Sequence, residues 1–207
     1  MMSLEHEKKM RRAHITREVI EVILLVVVIS VAIRLSIDTR FVEGDSMEPN
    51  LPPSQLVMVN KLAYLFGSPQ RGDVIVLYFP LDTSKQFIKR IIGIPGDRID
   101  LKPGEVSVNG HPIAEPYVTK EQNAQVGSVT LGPDQYFVMG DHREVSCDSR
   151  SWGPLPKNDI IGKVTLVYWP LSKIHGVNTY DSTFAGIPDQ KATKASSNIP
   201  FGNDCAA

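Results

Sequence analysis

Apolar and polar positions divide the chain into three stretches of different texture. From Val19 to Ile37 the residues VIEVILLVVVISVAIRLSI are apolar on every side, unbroken from Val22 to Ile33, with Glu21 and Arg34 near the ends. A membrane-spanning helix needs about 20 mainly apolar residues. The run reaches that length if both charges sit at the interfaces, where a long arginine can snorkel. After Ile37 the pattern changes to short runs rich in Val, Ile, Phe and Tyr. Such runs predict strands at Leu56–Asn60, Val74–Phe79, Phe87–Ile92, Ile99–Leu101, Glu105–Val108, Gln135–Met139 and Lys163–Tyr168. Turn residues bound them, at Arg71-Gly72-Asp73, Pro95-Gly96-Asp97, Asn109-Gly110 and Gly132-Pro133-Asp134. Val106 to Ile113 reads as a hairpin about Asn109-Gly110. A helical turn or two near Lys61–Phe66 is the only helix signal beyond the first run. From Leu171 onward Ser, Asn, Asp, Thr, Gly, Pro and Lys prevail, which predicts a disordered tail.

The fold class expected is therefore mainly β, with one N-terminal transmembrane helix. The divisions are a basic N-terminus (1–18), an anchor (19–37), a β-rich domain (38–170) and the tail (171–207). Lys8, Lys9, Arg11, Arg12 and Arg17 precede the anchor. By the positive-inside rule they place the N-terminus in the cytoplasm and the β domain outside it, on a single-pass protein of the cell membrane. Two other readings of the apolar run stay open. It is a buried core helix, or it is a cleavable secretory signal with Ser30-Val31-Ala32 as a small-x-small cleavage site. Either membrane reading carries the rest of the chain across.

Charge and composition remove several function classes. With 22 Lys and Arg against 23 Asp and Glu, net charge is −1, so no concentrated basic surface for nucleic acid is expected. No GxxxxGK[ST] or GxGxxG phosphate loop occurs. His6, His14, His111, His142 and His175 are scattered without ligand spacing, so neither metal nor other cofactor is expected. Cys147 and Cys205 form no CxxC; the pair could bridge in an oxidising compartment, but with Cys205 close to the end of the tail both are expected as free thiols.

Three segments could carry chemistry. Gly44-Asp45-Ser46-Met47-Glu48-Pro49 is a tight polar turn, which can present a serine hydroxyl beside a free backbone N–H. An ordinary turn or capping serine has the same local look. In Gln86-Phe87-Ile88-Lys89-Arg90-Ile91-Ile92-Gly93, strand alternation puts Lys89 on one face with Phe87 and Ile91. Apolar neighbours disfavour its charge and let the neutral amine act as a base, whereas most strand lysines reach water instead. The loop Gly140-Asp141 to Trp152-Gly153 crowds hydroxyls, carboxylates and guanidinium groups, as a set of supporting hydrogen bonds would require.

Taken in order, Gly44 to Pro49, Arg71-Gly72-Asp73-Val74-Ile75, Lys89 to Asp97 and Gly140-Asp141 to Trp152-Gly153 resemble the type I signal peptidase family in its small single-anchor form. The resemblance spans roughly Val19 to Pro170. It implies a largely β catalytic domain and a serine endopeptidase that removes signal peptides from exported preproteins after small-x-small sites, working in the membrane beside the export machinery. It implies Ser46 as nucleophile, its backbone N–H as oxyanion donor, and Lys89 as general base. Ser146 is expected to hydrogen-bond and orient the Lys89 amine, with Asp148 and Arg150 supporting the Ser146 loop. Some members add an oxyanion-binding serine two residues before the nucleophile; that position is Gly44 here, as in related single-anchor members. The chain departs from the family pattern at Asn50 (commonly Thr), Ser54-Gln55 (commonly Gly-Asp) and His142 (usually Asn). Two other readings share the strands and anchor: a Ser-Lys protease with a self-cleavage or regulatory target, and a non-catalytic tethered domain that binds extended peptides.

Overall fold

The structure, a computed structural model, describes residues 2–65, 67–118, 126–202 and 205. It divides into two units, up to Asp38 and from Thr39 onward. The first is one helix, α1 (Met2–Ser36), continuous through the basic stretch. Its segment Thr16–Ser36, 21 residues, is long and apolar enough to cross a membrane. Among the described residues none of that span is buried, unlike a core helix. An all-round apolar helix that buries nothing needs an apolar surrounding other than its own protein.

The second unit is β-rich. Its strands are β1 (Ile37–Phe41), β2 (Leu56–Asn60), β3 (Val74–Phe79), β4 (Asp82–Gly93), β5 (Arg98–Lys102), β6 (Glu105–Val108), β7 (His111–Pro112), β8 (Gly127–Thr130), β9 (Gln135–Met139), β10 (Leu155–Pro156), β11 (Ile160–Trp169), β12 (His175–Gly176) and β13 (Ser196–Ser197). One sheet runs β1-β2-β11-β3-β4-β9-β10, with β12 also on β11; the other runs β13-β8-β5-β6-β7. Short helices α2 (Ser149–Trp152) and α3 (Asp181–Phe184) and two 3-10 turns, Lys157–Asp159 and Leu171–Lys173, complete the described elements. Turns occupy Lys61–Leu65, where a helical turn was expected; Phe66 lies outside the described residues. The Asn109-Gly110 turn has positive φ at both residues, 53° and 79°, which pairs Val108 with His111 as the hairpin predicts.

Strand alternation sorts the core. In the β3–β4 ladder Ile75 faces Lys89 and Val74 faces Arg90. Ile75, Leu77, Ile91, Tyr136, Val138, Trp152 and Leu155 pack on the Lys89 side of these strands, whereas Val74 and Val76 belong to a cluster with Val42, Met47, Val57, Val59 and Val167. A third cluster joins the second sheet to the first through Ile92, Phe137 and Met139.

The expectation of a disordered tail is corrected over 171–202 and 205. Phe184 and Ile199 are buried in the third cluster, with Tyr180 and Ile187 packed against it. The segment also runs close over the Arg71-Gly72-Asp73 turn: a side-chain carbon on Gly72 would lie 2.1 Å from the Thr179 carbonyl oxygen. Few apolar residues suffice there because they enter a core that other strands have already built. The free-thiol expectation is corrected as well. Cys147 and Cys205 form a disulfide, their Cα atoms 5.4 Å apart, which joins the tail to the loop after β9. Residues 203, 204, 206 and 207 lie outside the description.

Candidate active site

Ser46 sits in the turn after β1, half-buried, with Met47 locked into the core beside it. The turn is held from both ends. Leu51 N–H donates to the Met47 carbonyl at 2.9 Å, and His142 N–H donates to the Ser46 carbonyl at 3.0 Å. The latter bond joins the serine turn to the loop following β9. Among the described residues nothing accepts the Ser46 N–H.

Lys89 reaches this serine from β4. Its Nζ lies 2.7 Å from Ser46 Oγ, and the side chain is 3% exposed. Nζ also stands 5.2 Å from the centre of the Phe87 ring. Among the described residues no carboxylate pairs with the amine. Burial is the main influence and lowers its pKa to about 8; Arg150 lowers it further, while Asp148 and Asp141 pull the other way. The amine is thus hydrogen-bonded to a hydroxyl in a site where its charge is costly.

Asp148 is fully buried and takes charge-assisted hydrogen bonds from Arg150 Nε and an Arg150 terminal nitrogen, each at 2.8 Å. It also caps α2 through Arg150 N–H and receives Gly140 N–H at 2.9 Å. Burial alone would raise its carboxyl pKa, but the Arg150 charge and these hydrogen bonds outweigh it and hold the group below its ordinary value. Arg150 goes on to donate to the Arg143 carbonyl at 2.8 Å. The pair therefore fastens the loop 140–150 onto the end of β9.

Ser146 does not make the expected hydrogen bond to Lys89. Its Oγ is buried without a hydrogen-bond partner, although it lies near enough to Asp148 to favour the carboxylate. The backbone explains the placement. A side-chain carbon on Gly140 would fall 2.2 Å from Ser146 Oγ and 2.5 Å from the Ser46 carbonyl oxygen, so the absent side chain is what lets Ser146 and the serine turn close on the same spot. The structure brings together Ser46 and Lys89, and separately Asp148 and Arg150; Ser146 lies between these pairs, bonded to neither.

A cluster missed in the sequence stands on the other face of β4. Arg90, 1% exposed, binds Asp141 bidentately at 2.9 and 2.8 Å and donates to the carbonyls of Gly72 and Asn178, both at 2.9 Å. Tyr117 and Tyr180 flank its guanidinium at 4.5 and 5.1 Å. Asn50, in the turn that begins at Ser46, donates to Asp141 and to the Tyr117 carbonyl, and accepts from the Tyr180 hydroxyl at 3.0 Å. Asn50 and Asp141 were visible only as members of motifs, and no local signal pointed to Tyr180.

A cleft of about 720 Å³ opens above the pair, lined by the segment 39–47 and by Val76 and Ser84 to Lys89. On its β4 side the ladder to β9 begins only at Arg90, so Asp82–Lys89 pair with β3 alone.

A hydroxyl against a buried amine, at the floor of a cleft beside an unpaired strand edge, is an arrangement that can support nucleophilic chemistry on an extended peptide. The comparisons with known proteins agree in class: residues 16–169 match the family described as signal peptidase, peptidase S26, and the chain belongs to it. It is a serine endopeptidase of the signal peptidase I type. Signal peptidase I of Leptolyngbya laminosa is 36% identical over 166 residues, 76% of this chain and 81% of its own length. Signal peptidase I P of Bacillus subtilis subsp. natto is 37% identical over 164 residues, 73% of this chain and 88% of its own. A crystal structure of a signal peptidase I from Enterococcus faecalis V583 aligns at 30% identity and a TM-score of 0.43, covering 47% of this chain and 97% of its own.

Proposed function

We propose that the chain removes N-terminal signal peptides from exported preproteins, with Ser46 as nucleophile and Lys89 as general base. The observation that carries this is the 2.7 Å approach of the buried Lys89 amine to the Ser46 hydroxyl. Once neutral, the amine accepts the hydroxyl proton as Oγ attacks the scissile carbonyl. The resulting ammonium then protonates the leaving amine. Water completes the cycle by attacking the acyl-enzyme, with Lys89 again taking the proton. The free Ser46 N–H is the donor available to the oxyanion, since Gly44 brings no hydroxyl. An extended substrate would add a strand along the unpaired edge of β4. Met47, Val76, Phe87 and Ile88 along the cleft suit small uncharged side chains. Asp148 and Arg150 act by holding the loop of Ser146.

The helix Thr16–Ser36 anchors the enzyme, with the basic N-terminus in the cytoplasm and the catalytic unit on the other side, where preproteins emerge from the export machinery. The Cys147–Cys205 disulfide favours that side, because such bonds persist in oxidising compartments. The test is cleavage of a purified preprotein bearing a small-x-small site. Ser46→Ala and Lys89→Met should each abolish it while the circular dichroism of the folded enzyme is retained. Normal turnover by either variant rejects the mechanism.

A further inference from the structure

The C-terminal segment reaches the active site from behind, through Asn178 and Tyr180. Asn50 illustrates this. Both of its amide donor positions are used, on Asp141 and on the Tyr117 carbonyl, and its carbonyl oxygen receives the Tyr180 hydroxyl. Arg90 is capped likewise, with the Asn178 carbonyl on one terminal nitrogen and the Tyr180 ring 5.1 Å from its central carbon. Tyr180 holds a left-handed backbone conformation, φ 53°, which a bulky residue rarely adopts unless its surroundings over-determine it. Its backbone N–H is tied at 2.8 Å to the Asn178 side chain.

These contacts converge on the parts that set the distance between Ser46 and Lys89. Asn50 terminates the turn that starts at Ser46. Arg90 follows Lys89 in β4. Asp141 joins the two and precedes His142, whose N–H holds the Ser46 carbonyl. We propose that Tyr180 is a positioning residue for the peptidase reaction: through Asn50 and Arg90 it fixes the serine turn against β4, so that the hydroxyl and the amine stay within hydrogen-bond distance. The inference rests on the Ser46–Lys89 reading of the site and adds the C-terminal segment to its machinery. Tyr180 does not line the cleft, so its influence is on the reacting groups and not on the bound peptide.

The charged groups acting on Lys89 are Asp148, Arg150 and Asp141, all from the loop after β9. Removing Tyr180 loosens Arg90 from its tyrosine side and admits water behind β4. Asp141 is then less fully neutralised, and Lys89 is less fully desolvated; both changes raise the pH at which the amine becomes neutral.

The experiment uses the full-length enzyme in detergent with a preprotein substrate, and measures kcat, KM and the rising limb of the pH–rate profile. Tyr180→Ala should lower kcat by about ten- to a hundredfold. KM should be unchanged, and the rising limb should move to higher pH. Tyr180→Phe keeps the ring over Arg90 but not the hydroxyl on Asn50; it should lose kcat by a smaller factor and keep the limb in place. If Tyr180→Ala lowers only the melting temperature, leaving kcat and the limb as they were, the segment merely packs and the proposal is overturned. Should Tyr180→Ala not fold, an unaltered kcat in Tyr180→Phe overturns it equally. Failure of the underlying reading looks different: the unmodified enzyme itself would not cleave, or would cleave without needing Ser46.

Discussion

Lys89 and Arg90 are consecutive cations on one strand, almost equally buried, and their surroundings ask opposite things of them. On the Lys89 face the neighbours among the described residues are a phenyl ring, aliphatic chains and one hydroxyl, with no carboxylate paired to the amine. On the Arg90 face a carboxylate meets the guanidinium in two parallel hydrogen bonds, two carbonyls take further protons and two tyrosine rings flank it. A guanidinium does not give up its proton in proteins, so it serves where a permanent charge must tie elements together. An amine gives up its proton when desolvated. Burial alone therefore says little about a cation; the partners decide whether burial locks the charge in or drives it off.

The sharpest way to break this contrast is Lys89→Arg. A guanidinium in the desolvated site has no accessible neutral form, so cleavage should fall by at least about a thousandfold and show no recovery at alkaline pH. Measurable turnover rising with pH in that variant would end the base assignment. Second comes Arg90→Met, which strands Asp141 in the interior and should destabilise the fold by about 3–5 kcal/mol in denaturant titration. A loss below about 1 kcal/mol would mean the pair is solvated in practice. The smallest effect is a matter of pH. Because the folded-state pKa of Lys89 lies below the unfolded value, the unfolded chain binds more protons between about 8 and 10.5, and raising the pH through that window favours the fold. The gain is at most about 3 kcal/mol, and Lys89→Met should lack it. Equal pH dependence in the two proteins would contradict the desolvation of the amine.

Much of the catalytic unit's framework is readable from the chain, and the reason is local. Leu56–Asn60, Val74–Phe79, Glu105–Val108 and Gln135–Met139 carry apolar and β-branched residues between strong turn residues, and the strands end where those residues do. Asp82–Gln86 extend β4 beyond its predicted start because that end of the hairpin is exposed and polar, which hides it from a hydrophobic pattern. The pairing of Ser46 with Lys89 could be reached only through the order of motifs, since each motif alone suits an ordinary turn or strand. Contacts between distant positions were not legible. Asn50 meets Tyr180 across 130 positions, and Cys147 meets Cys205 across 58. Phe184 and Ile199 look isolated in a polar stretch, yet each fills a gap in a core made elsewhere.

The β3–β4 register, in which Ile75 opposes Lys89 and Val74 opposes Arg90, has a consequence for counting active molecules. Sliding β4 by a single position would turn every side chain to the opposite face. A slip one way would bring Arg90 to the hydroxyl and Ile91 to Asp141; a slip the other way would bring Ile88 to the hydroxyl and Lys89 to Asp141, and neither leaves a base at Ser46. Such a molecule would look nearly native to any probe of secondary structure and be chemically mute, so specific activity reports the fraction of hairpins that zipped correctly.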